Sequence, residues 1–184
     1  DIVNKYLAFF NIMDREKLRL LKDKKAVPSE KVVDLYFRLL ADKKITEDVG
    51  SLLLAVFESV EDDDFRYEYQ ELYLVKRKIL LSIAKKYEDQ IRAIYSEYSK
   101  PIADDDYVFA EIKNIKRRQI KNVCLGLLSK LDTKEIHDMI RRQFEYSKNA
   151  SEKLNAFRLY VDSSAKDKYK MISDFEKIAI KNPV

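Results

Sequence analysis

Glycine and proline are nearly missing from this 184-residue chain, which has 2 of the first and 3 of the second. Those residues punctuate turns, and a sheet-rich domain of this length needs many turns, so their scarcity argues for long helices. The single cysteine, Cys124, excludes an intramolecular disulfide and fits a reducing compartment, so a cytoplasmic location is expected. The single histidine, His137, excludes a zinc site of the H-E-x-x-H type, which needs two imidazoles one helical turn apart. A mixed His/Cys zinc site fails for the same reason. With only Gly50 and Gly126, no glycine cradle for phosphate can form, and neither G-x-x-x-x-G-K-[ST] nor G-x-G-x-x-G occurs. No apolar run approaches the ~20 residues needed to cross a bilayer. The N-terminus also lacks the basic-then-apolar pattern of a signal peptide. The expected inventory is therefore no catalytic, cofactor-binding or metal-ligating residue.

What is present is a mixture of 46% hydrophobic and 37% charged residues, which suits amphipathic helices with one packed and one wet face. The length allows one ordinary domain with a sizeable core, so residues 1–184 are read as a single helical domain. The net charge of +4, from 36 basic and 32 acidic residues, is a small surplus on a heavily charged surface. Neither a nucleic-acid partner nor a membrane is expected from it.

Helical spacing is the dominant pattern along the chain. Over 2–22 the stripe is Val3, Leu7, Phe10 and Met13. Pro28 suits the start of a second helix carrying Val32, Leu35, Tyr36, Leu39 and Leu40. Thr46 is the expected N-cap of a third helix, which buries Leu52, Leu53, Val56 and Phe57. The acidic stretch 58–64 reads as a loop. Leu72, Val75, Ile79, Ile83, Tyr87, Ile91, Ile94 and Tyr98 then predict a long helix, kinked around Glu88 and ending near Pro101. Asp104, Asp105 and Asp106 open another, with Phe109, Ile112, Ile115, Val123, Leu127 and Leu131 inward. Asp132 or Thr133 caps a helix bearing Ile136, Met139, Ile140 and Phe144. Asn149 and Ser151 start the next, with Leu154, Phe157 and Val161. Tyr169, Ile172, Phe175 and Ala179 mark the last, before Asn182, Pro183 and Val184. This predicts an all-α fold of antiparallel helical hairpins stacked as an α-superhelix of the HEAT/armadillo kind, although no strict repeat period is visible.

Few residues invite a chemical reading. Cys124 lies in an apolar run and reads as a small buried hydrophobe, since reactive thiols need an exposed, electropositive setting. His137 sits at the edge of an apolar stripe and reads as a boundary residue. The acidic clusters at 61–64 and 104–106 lack the alternation and distal glutamate of a calcium loop. Lys113, Lys116, Arg117, Arg118 and Lys121, with Arg141 and Arg142, make a basic cluster. The tyrosines are not interleaved with it as stacking platforms, so a solvated or ion-pairing face is expected.

One set of short motifs points further. Arg118-Gln119-Ile120-Lys121-Asn122-Val123-Cys124-Leu125, read as R-x-[LI]-[RK]-N-x-C-L, resembles a signature of the C-terminal domain of bacterial-type aminopeptidase N (alanyl aminopeptidase). Gln143-Phe144 and the segment 149–157 are similar to that family's Q-x and N-M-T-[DE]-x-x-x-A-L, with Ala150, Ser151 and Phe157 replacing Met, Thr and Leu. Leu39 to Ile45 and Ile94 to Tyr98 resemble two of its helix ends. The resemblance runs over about residues 33 to 180. It implies an accessory domain of a zinc-dependent aminopeptidase that removes N-terminal residues from peptides. In that family the helical C-terminal domain closes over a separate catalytic domain, which holds the zinc and the catalytic residues. The implied partners are that catalytic domain of the same parent chain and the parent's peptide substrates. With Asp1 in place of Met, the chain is expected to be an incomplete portion of the larger domain, inactive alone. Arg118, Lys121 and Asn122 are expected to bond helix to helix. An independent helical-repeat interaction module is the alternative.

Overall fold

The scarcity of helix breakers is realised in a computed structural model that describes the backbone of residues 1–100 and 107–181. It forms nine α-helices and two 3₁₀ turns among those residues, with no strand. The expectations placed on Pro101, on the helix start at 104–106, on the side chains of Phe109 and Ala179, and on 182–184 lie outside the described residues.

Helix α1 spans Ile2–Lys22, and the carboxylate of its N-cap Asp1 accepts from the Val3 amide at 3.0 Å. Its packed face is Phe9, Met13, Lys17 and Leu20 rather than the expected Val3 and Leu7, which are exposed. The displacement has a cause at Lys17, a charged residue that is 1% exposed. Its ammonium lies 2.6 Å from Asp14 Oδ1, donates to the Phe57 carbonyl at 3.3 Å, and also bonds the Ser59 carbonyl. A buried charge survives only when paired and hydrogen-bonded in this way. Helix α2, Glu30–Ala41, starts two residues after Pro28 and buries Val32, Val33, Tyr36 and Leu40.

The third helix departs most from expectation. Helix α3 is only Lys43–Val49, capped by Asp42, whose Oδ1 accepts from the Ile45 amide at 3.1 Å. Thr46 lies inside it and is buried, its hydroxyl 3.2 Å from that of Tyr98. Gly50 ends the helix at φ +60°, where a Cβ would come within 2.0 Å of Gln119 Oε1. The chain then passes through a 3₁₀ turn, Leu52–Leu54, and an irregular stretch in which Leu53, Leu54, Val56 and Val60 are buried. Leu52 and Phe57 are exposed instead.

Helices α4, Tyr69–Lys86, and α5, Glu88–Tyr98, are the predicted long helix broken at Tyr87. Tyr87 stacks on Phe37 at 3.9 Å and donates to Asp34 Oδ1 at 2.7 Å, which fixes the break against α2. Helix α6, Tyr107–Leu128, keeps Ile112 and Ile115 exposed but buries Ile120, Cys124, Leu125, Leu127 and Leu128. Each such aliphatic side chain contributes about 1.5–3 kcal/mol of transfer free energy.

A second 3₁₀ turn, Ser129–Leu131, leads to Asp132 at φ 53°. Helices α7, Lys134–Tyr146, and α8, Ala150–Val161, carry their expected caps Thr133 and Asn149. These two helices pack along each other and are joined by three residues, so they run antiparallel. Helix α9, Lys168–Lys181, turns Met171 inward and leaves the expected Tyr169 75% exposed. Its Phe175 stacks on Phe157 of α8 at 4.2 Å. One continuous apolar core runs through the pairs.

Asp132 staples this last third together. Its Oδ1 accepts from the Ser164 amide at 3.0 Å and lies 2.7 Å from His137 Nε2. Burial opposes its ionisation, but the bonds from Ser164 and His137 outweigh that and hold its carboxyl below the usual aspartate range. A depressed carboxyl contributes stability that is present above the ordinary value and is lost as pH falls through the folded one. Asp132→Asn, which still tolerates positive φ, should therefore be less stable than the parent at pH 7 by urea denaturation. The difference should shrink below about pH 4, near the unperturbed aspartate value.

Candidate functional site

The motif residues converge on one polar lattice where α5, α6, α7 and α8 meet. Lys121 of α6 pairs with Glu152 of α8 at 2.7 Å, both largely buried. Asn122 Oδ1 accepts from Gln143 Nε2 of α7 at 3.0 Å and from Asn155 Nδ2 of α8 at 3.3 Å. Gln143 Nε2 also donates to the Glu152 carbonyl at 3.2 Å, and its Oε1 accepts from the Tyr95 hydroxyl at 3.0 Å. Glu152 further accepts from the Ser147 hydroxyl at 2.6 Å. Lys121 and Asn122 thus bond between helices as expected. Arg118 instead pairs along its own helix with Glu111 at 2.6 Å.

Three further basic residues of the cluster are also engaged. Lys116 bonds the Asp48 carbonyl, closing the C-terminal end of α3. Arg117 bonds the carbonyls of Glu97 and Lys100 and lies 4.6 Å from the Tyr98 ring centre, which satisfies the C-terminal end of α5. Arg141 bonds Tyr160 and Asp167. Helix-end capping and ion pairing occupy these three side chains.

Cys124 and His137 do not meet as a pair. Cys124 is fully buried, and burial pushes its thiol up to about 12. His137 is held between Asp132 and the edge of the Tyr160 ring, whose centre is 6.1 Å away. Among the described residues no group of three or more His, Cys, Asp or Glu side chains could hold a metal ion. Nor is any described helix long and apolar enough to cross a membrane.

A sizeable concavity among the described residues is a cleft of about 670 Å³. Its walls come from α4, α6, α8 and the irregular stretch after the first 3₁₀ turn. Leu80, Val123 and Leu127 contribute apolar surface, and Gly126 lies among them. Four cations line it, Lys76, Arg77, Lys130 and Arg158, against the two carboxylates of Glu58 and Asp162. Lys76 pairs with Glu58 at 3.0 Å and Lys130 with Asp162 at 3.4 Å. Burial lowers the Lys130 ammonium, and nearby Arg77 and Lys76 push the same way while Asp162 opposes them. The cleft therefore has a positive surplus beside an apolar lining, within the size range of small-molecule and peptide sites. No sequence motif singles out these cations, because they come from two separate helices and the second 3₁₀ turn. Only Gly126, isolated inside a helical run, left a local signal.

A family model described as a domain of unknown function (DUF3458_C), ARM repeats, matches residues 1–184. The match spans the whole chain, and the chain belongs to that family. No curated protein matches it.

Two outcomes follow from this geometry. Gln143→Met removes both the donor and the acceptor of the lattice and leaves Asn122, Tyr95 and the Glu152 carbonyl short of partners. It should cost about 1–3 kcal/mol per group left buried and unpaired, seen as a lower urea midpoint at unchanged slope. Cys124 should resist iodoacetamide at pH 8 in the folded chain and react once urea unfolds it; rapid native alkylation would contradict the buried assignment.

Proposed function

We propose that this chain is the accessory helical domain of a zinc-dependent aminopeptidase that removes N-terminal residues from peptides. In this reading it walls an active-site chamber and supplies no catalytic group. Its partners are the catalytic domain of the same parent chain and the peptides that enter the chamber. Cytoplasmic location belongs to the same proposal.

The observation that carries the reading is the lattice. Lys121, Asn122, Gln143 and Glu152, which carry the resemblance to aminopeptidase N, are also residues that fasten α6 to α7 and α8. A pattern set by such interlocking needs a particular helix packing, and packed helix pairs make a stiff wall. Membership of an ARM-repeat family over the whole chain agrees with that use. The zinc of the proposed parent does not fit this chain, whose lone imidazole is already held by Asp132. No step of hydrolysis is assigned to these residues. The open cleft favours a second reading, an independent interaction module, with the same fold.

The purified chain should release no chromophore from alanine p-nitroanilide, with or without added zinc. Chelator-sensitive turnover by the chain alone would overturn the proposal. The gene that encodes it should carry H-E-x-x-H and a distal glutamate upstream, whereas a reading frame lacking them decides for the interaction module.

A further inference from the structure

Arg77 is exceptional among the cations of the cleft. It forms no hydrogen bond or ion pair with any described residue, while Lys76 and Lys130 have carboxylate partners and Arg158 reaches the Asn155 side chain at 3.4 Å. A guanidinium offers a planar fork of donors matched to a carboxylate. Here the fork is half-buried beside an apolar lining and left open. Asn122 adds to the polarity of the same wall, because its Oδ1 is occupied twice and its amide hydrogens are not.

Gly126 is the second, independent observation. An interior helical glycine costs about 1 kcal/mol relative to alanine. Packing does not demand it, since a Cβ at this position would meet nothing within 4 Å. The space a side chain would occupy is part of the cleft. Leu125 and Leu127 on either side are buried, so the helix turns its one bare position toward the concavity.

We infer that the cleft between α4, α6 and α8 binds a carboxylate carried on an aliphatic body, with Arg77 as its anchor and the open face at Gly126 taking the aliphatic part. Leu80, Val123 and Leu127 receive that part, and the surplus positive charge receives the head. A singly charged carboxylate matches one open guanidinium, whereas a phosphate of about two negative charges would draw on Lys76 and Lys130, which already have carboxylate partners. The carboxylate can belong to a free aliphatic acid or to an acidic side chain in an apolar peptide. The inference stands on the cleft alone and is independent of the aminopeptidase reading.

The test titrates the chain with octanoate and with the capped peptide acetyl-Leu-Glu-Leu-amide, following amide shifts of α4 and α6 by NMR. Acetyl-Leu-Gln-Leu-amide and inorganic phosphate are the controls. Saturation by octanoate alone assigns a free acid, and saturation by the glutamate peptide assigns a protein or peptide source. In either case the controls should bind about tenfold more weakly or worse. Arg77→Gln should weaken binding by at least about tenfold. Gly126→Leu should abolish it while leaving the thermal midpoint unchanged or higher, leucine being the better helix former. Should Gly126→Leu misfold, Gly126→Ala with Arg77→Gln carries the same comparison. The inference is overturned if neither probe saturates at about 10 mM, if phosphate binds equally well, or if Arg77→Gln leaves the affinity unchanged. Because no hydrolysis is read, failure here leaves the enzyme proposal standing, and the reverse also holds.

Discussion

The second half of α6 has to be kept dry on more than one side, and the arrangement of its neighbours follows from that. Ile120, Cys124, Leu125, Leu127 and Leu128 point in several directions around one helix, and all are buried. A helix with so broad an apolar face needs cover over all of that face. Helices α3, α4, α5 and α8 supply it, each in contact with α6. Two polar residues, Lys121 and Asn122, sit within the same covered stretch. Their burial is tolerable only with partners on the covering helices. The lattice through Gln143 and Glu152 is thus the counterpart of the dry helix, and it sets how α7 and α8 meet α6.

The same logic explains what several of the basic side chains do. Lys17 replaces an apolar residue on α1 and reaches across to backbone carbonyls of a stretch with no regular structure. Lys116 and Arg117 complete helix ends that would otherwise leave carbonyls unmet. Lys86 bonds Glu30 and Asp34 at 2.6 Å each, tying α4 to α2. Long basic side chains act here as cross-links with a charged tip, which suits helices joined by few turns. Against that background an open guanidinium beside a bare helical position stands apart.

Much of the fold was legible because capping and periodicity are local. Thr133, Asn149 and the break beside Glu88 could be placed from a few neighbouring residues, and the buried Cys124 from its apolar run. Errors arose where distant parts decide. The packed face of α1 runs through Lys17, which no pattern of apolar residues would select. Thr46 resembles a cap, but Asp42 takes that role, and Thr46 is free to meet Tyr98. The third helix stops at Gly50, whose φ of +60° ends it, and Gln119, far along the chain, fills the space a Cβ would need there. Ile112 and Ile115 fit a helical stripe and are nevertheless exposed. The cleft escaped notice for the same reason, as its cations share a wall only after folding.

Most helices touch those next to them in sequence, and the longer ties seldom reach beyond the following pair. Such a chain has mechanical consequences. Pulled by its ends, it should not yield in one event, since α9 is held chiefly by α8 and can peel away while α6 is still enclosed. The force needed should rise as detachment approaches Gln143 and Glu152, where several bonds must break together. A helical stack built this way gives at its margin and stays stiff at its centre.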